Sequence, residues 1–162
     1  MTRDEWRNHL LNGTGPLALE NLEQLSPEPA FVELCRDILK APWPEFDETA
    51  DPAEGYIEAL AFATLGLLRL DETLPELLQA YRVADEQDYD WIIELAPSVF
   101  AHIGASSFQV VLAEIARLEQ EPKILLDKPN NPMWLRFYYW GLVHCLQEIG
   151  SHCTEVRELV FK

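Results

Sequence analysis

Phe31, Leu34, Cys35 and Ile38 fall at i, i+3, i+4 and i+7, the spacing that places side chains on one face of an α-helix. The same quartet returns as Leu74, Leu77, Leu78 and Tyr81, and again as Phe108, Val111, Leu112 and Ile115. A fourth, imperfect copy is Cys153, Val156, Arg157 and Val160, where arginine interrupts the apolar face. Each quartet follows another stretch with helical period. Residues 17–25 precede the first. Residues 54–70 precede the second, with Ile57, Leu60, Ala61, Thr64 and Leu68 on one stripe. Residues 89–103 precede the third, with Ile92, Leu95, Val99 and Ile103. Residues 132–149 precede the fourth, with Trp134, Tyr138, Gly141, Leu142, Cys145 and Ile149. Sustained period-two alternation and Asn-Gly or Asp-Gly hairpin turns are missing, so strands are not predicted.

The joints between these stretches carry helix-end chemistry. Ser26-Pro27 and Asp51-Pro52 set a capping side chain before a proline at the first helical position. Asp51 with Glu54, and Thr73 with Glu76, have the spacing of a capping box. Gly104 and Gly150 suit a left-handed helix terminus, after which Ser106 or Ser107, and Ser151, cap the next helix. The prediction is all-α: about four antiparallel helical hairpins stacked as an α-solenoid over one domain, residues 1–162, with an irregular helical bundle as the alternative. Two stretches break the pattern. APWPEFDETADPAE, residues 41–54, is a proline- and acid-rich loop that holds Trp43 extended between two prolines. EPKILLDKPNNP, residues 121–132, is the other.

The run from EGYIEALAFATLGLLRLDETLPELLQAY through WIIELAPSVFAHIGASSFQVVLAEI resembles bacterial HEAT-like repeat proteins. The likeness covers roughly residues 54–160 and lies in residue classes, without the regular Asp-x-x-Val-Arg at the joints. The resemblance implies a binding scaffold more than a chromophore-lyase relative.

Composition narrows the function. Twelve Lys and Arg against twenty-eight Asp and Glu give a formal charge of −16, which repels phosphate backbones and anionic lipids and attracts a basic partner. Direct nucleic-acid or membrane binding is therefore disfavoured. MTRDEWRNHL is polar and mixed, unlike a signal peptide, and three cysteines fit a reducing compartment, so the expected location is cytoplasmic.

The candidate chemistry is sparse. HCLQEIGSHC, residues 144–153, repeats a His-Cys dipeptide, but residues eight apart on one helix lie about 12 Å apart along its axis, and a turn at Gly150 does not converge all four either. Cys145 and Cys153 are expected on buried stripes. Cys153 beside His152 is the one arrangement that hints at a nucleophile, opposed by the acidic surroundings. In DEQDYD, Asp85, Asp88 and Asp90 lack the glycine and terminal glutamate of a calcium loop, and read as a solvated helix end open to a basic partner. In MWLRFYYWGLVHC, Tyr139 and Trp140 fall off the buried stripe, and with His144 they are candidate binding residues, as is Trp43. No Gly-rich phosphate loop, CxxC, HExxH or nucleophile elbow is present, and Gly13-Thr14-Gly15-Pro16 is a turn; no cofactor or metal is called for.

The function these features predict is a non-enzymatic scaffold or adaptor with an acidic surface that binds another protein. The alternative is a helical enzyme or ligand carrier with an aromatic pocket around Trp134, Tyr139, Trp140 and His144. Homodimerisation through the C-terminal helix is a further expectation.

Overall fold

The computed structural model describes Asn8 and residues 28–43, 57–120, 133–154 and 156–157, with side chains of 133–136 outside that description. The described residues are all-α: α1 (Pro29–Lys40), α2 (Ile57–Leu67), a 3₁₀ turn (Asp71–Thr73), α3 (Leu74–Glu86), α4 (Asp90–Ile103), α5 (Ala105–Glu119) and α6 (Met133–His152). The expected helix at 17–25, the Ser26-Pro27 cap, the Asp51–Glu54 capping box and the 121–132 break lie outside them. The chain divides into two compact units, Met1–Ala80 and Tyr81–Lys162, with the boundary inside α3.

In the first unit α1 packs on α2. Helix α1 opens with Pro29 at its first position, where the missing N–H costs nothing, and the Glu28 carbonyl accepts from Phe31 and Val32 N–H at 2.9 and 3.1 Å. It buries Phe31, Leu34 and Cys35 of the predicted quartet, together with Val32 and Leu39. Helix α2 is apolar nearly all round and buries Ile57, Ala59, Ala61, Phe62, Thr64 and Leu65, a wider face than the stripe read from sequence. The Thr73–Glu76 capping box does not form. Thr73 Oγ1 donates instead to the Leu70 carbonyl at 2.8 Å. The Glu76 carboxylate takes Arg36, through Nε at 2.9 Å and through Nη2, and Lys40 Nζ at 3.1 Å, tying the start of α3 to α1.

In the second unit α6 lies against α4 most extensively and against α5, and α4 also touches α5. The α6 stripe follows the sequence reading: Tyr138, Leu142, Cys145 and Ile149 are fully buried. Each large side chain removed from water this completely contributes about 1.5–3 kcal/mol. Facing them are Tyr81 from α3 and Ile92, Ala96 and Phe100 from α4, all without appreciable exposure. The Tyr81 ring meets Tyr138 at 5.3 Å and Phe100 at 6.3 Å between centroids, both tilted, a geometry aromatic pairs favour.

The joints differ from expectation in instructive ways. Gly104 alone connects α4 and α5, at φ 95° and ψ −139°, a glycine-only region distinct from the left-handed helical one expected. Ser107 does not cap α5. Its buried hydroxyl lies 2.6 Å from both the Phe100 and Gly104 carbonyls, stitching back to α4. Gly150 ends nothing: it is buried inside α6, which runs on to His152. Ser151 therefore sits within α6 as well, donating to the Glu148 carbonyl at 2.8 Å. The chain turns at Cys153 instead, whose carbonyl accepts from Val156 and Arg157 N–H.

Candidate interaction surface

One side of α6 is held in the core by the stripe just described, and the opposite side carries the unusual residues. Phe137 and Trp140, at i and i+3, are 60% and 65% exposed. His144, one turn further on, is exposed too. Tyr139 is half-buried: its hydroxyl donates to Glu119 Oε1 at 2.9 Å, and its ring meets Trp140 edge-on at 5.8 Å. That hydrogen bond raises the Tyr139 phenol above its usual range and keeps it a donor. The effect is to seat the Trp140 indole against a fixed neighbour while its other side stays open.

Further along the same helix Glu148 stands between two histidines. His144 Nε2 and His152 Nδ1 are each 3.7 Å from its carboxylate oxygens. His152 Nδ1 also lies 2.9 Å from Ser151 Oγ and from the Glu148 carbonyl, so that nitrogen is engaged by its own helix. Among the described residues no group of three or more His, Cys, Asp or Glu is arranged to hold a metal ion. The three cysteines are free thiols. Burial pushes Cys35 up to about 12 and raises Cys145 as well, so both remain neutral thiols packed as small hydrophobes.

The remaining predicted site residues are Trp43 and the three aspartates of DEQDYD. Trp43 is buried just beyond the end of α1, in the first unit. Asp88 and Asp90 are exposed, but Asp85 is a correction to the solvated reading of DEQDYD: it is only 7% exposed. Burial pushes its carboxyl up to about 6; the Tyr138 backbone N–H hydrogen-bonds to it and pulls it down, while Asp88 and Glu86 push it up further. Asp88 has its own structural task. At φ 59° it takes the place glycine usually holds after a helix, and Tyr89 N–H reaches back to the Ala84 carbonyl at 2.8 Å. Sequence reasoning passed over Trp91, 50% exposed at the start of α4, although it is the residue just before the Ile92 stripe. It also expected Leu112 on a buried face, where 41% of it is exposed.

Compared with protein-family models, curated proteins and solved structures, the chain gives no match. No helix among the described residues is long and apolar enough to cross a membrane.

Proposed function

We propose that this chain is a non-enzymatic interaction module that binds a basic protein partner through the outer face of α6. The observation that carries this reading is the pair Phe137 and Trp140, exposed on one side of a helix whose other side is fully buried. Large aromatic side chains left open to water in this way are enriched at the energetic centres of interfaces. Glu119 and Glu148 flank them on the described surface, in a chain of net charge −16, so Lys or Arg around an apolar contact is the complement. Trp140 and His144 face outward, which supports a docking face over an enclosed ligand pocket. Stacked hairpins of the HEAT-like kind are the scaffold this reading proposes, supported by the one-residue α4–α5 joint and by α6 packing on both helices. The free thiols support a reducing, cytoplasmic setting.

The test is affinity capture with the wild-type chain and with Phe137→Ser/Trp140→Ser. Exposed positions of this kind change stability by no more than about 0.5 kcal/mol, so the variant stays folded. Partners held by the wild type and released by the variant support the reading; equal capture by both rejects it.

A further inference from the structure

The last turn of α3 and helix α6 meet around Tyr81 and Tyr138, and Asp85 is buried in that meeting place. The Tyr138 backbone N–H bonds the carboxyl, but Asp85 Oδ2 is buried and accepts no hydrogen bond from the described residues. An ionised oxygen without a donor loses its hydration and recovers nothing, whereas a neutral carboxyl escapes most of that penalty.

Among the described residues, the charged groups that act on it oppose ionisation. Glu86 and Asp88 are both negative and act on it through space. Arg82, one turn earlier, is committed to Glu86 at 3.2 Å. The phenols of Tyr81 and Tyr138 are raised by burial and stay neutral. The Tyr138 hydroxyl lies 3.4 Å from Glu114, and the cations that act on that phenol, Arg82 and Arg117, are paired with Glu86 and Glu114. Asp85 also sits at the carbonyl end of α3, where the helix dipole disfavours a negative charge.

We propose that Asp85 is a proton-operated clasp: with a neutral carboxyl the last turn of α3 and helix α6 stay packed, and with an ionised carboxyl they loosen. The inference does not rest on the binding role proposed for the outer face of α6. Its sign follows from linkage. A carboxyl raised on folding contributes stability that is complete below its unfolded value, about 4, and is lost as pH rises to about 6. Above that the contribution is gone and the profile is level.

The experiment follows thermal unfolding of the full chain from pH 4 to 8, with amide exchange at Tyr138 corrected for its intrinsic rate. Wild type is compared with Asp85→Asn and with Asp88→Asn, so that titrations common to all three cancel. The expected result is a wild-type midpoint that falls between pH 4 and 6 relative to Asp85→Asn and then runs parallel to it. Tyr138 exchange in the wild type accelerates over the same window. Asp88→Asn removes one repelling charge and suits the left-handed backbone, so its fall is smaller and ends at lower pH. Parallel wild-type and Asp85→Asn profiles throughout overturn the proposal. Should Asp85→Asn not fold, an Asp88→Asn profile identical to wild type overturns it instead.

Discussion

Gly141 shows how much one absent methyl group can decide. A Cβ placed there would come within 1.8 Å of the Tyr81 hydroxyl and 3.1 Å of Cζ, so the glycine is the slot into which that ring tip fits. Gly141→Ala gains about 1 kcal/mol of helix propensity and loses more to overpacking, typically 1–3 kcal/mol. A net loss of stability is expected in denaturant unfolding. Tyr81→Phe, by removing the oxygen, should recover part of it, and additive losses in the double mutant would contradict the fit. Glu76 makes the opposite use of a carboxylate from Asp85. Burial pushes it up, but hydrogen bonds from Arg36 and Lys40 outweigh that and hold it below the usual carboxylate range. A lowered carboxyl stabilises above its unfolded value and loses that contribution as pH falls through its folded one. Glu76→Gln should therefore lower the unfolding midpoint at neutral pH and flatten the wild-type acid decline below about pH 4. These two acids look alike in sequence. Asp85 reads as solvated because its near neighbours are acidic, and its burial comes from Tyr138 on a helix far along the chain.

At the scale of elements, periodicity was a good guide wherever one face alone is buried. Tyr138, Leu142, Cys145 and Ile149 form such a face, and 3.6-residue spacing locates them without further information. Helix ends were less legible. Gly104 stops α4 because its backbone angles exclude other residues, whereas Gly150 continues α6 because a glycine inside a helix costs only about 1 kcal/mol and packing outweighs it. Once α6 is known to run through to His152, HCLQEIGSHC becomes a single helix up to that residue, with Glu148 between both histidines and Cys153 just past the end. Off-stripe aromatics were legible as exceptions, but which of them faces water was not. Tyr139 is partly covered through Glu119 while Phe137 and Trp140 are open, a difference set by α5. Exposed Phe137 and Trp140 also make an element-level prediction. Intrinsic fluorescence of Trp140 should be quenched readily by a small polar quencher, and binding of a basic partner should protect it; unchanged quenching in the complex would place the contact elsewhere.

For the whole molecule, charge gives the two modes of association opposite responses to salt. A basic partner is attracted to a surface of net charge −16, so added salt should weaken that complex. A second copy carries the same charge and is repelled, so any homodimer through the C-terminal helix should strengthen as salt rises. Sedimentation of the chain alone and with its captured partner, each at low and high salt, separates the two. Partner binding that is indifferent to salt would remove charge from the explanation.

The buried Asp85 carboxyl has a practical corollary for anyone handling the protein. Mild acid tightens the packing of α3 against α6, yet the sequence isoelectric point is about 4.5, where the mutual repulsion that keeps copies apart vanishes. Folding and solubility thus pull the preferred pH in opposite directions. Crystals or precipitate are favoured on the acid side, and the freely dispersed protein at neutral pH is the one whose α3–α6 contact is most easily opened.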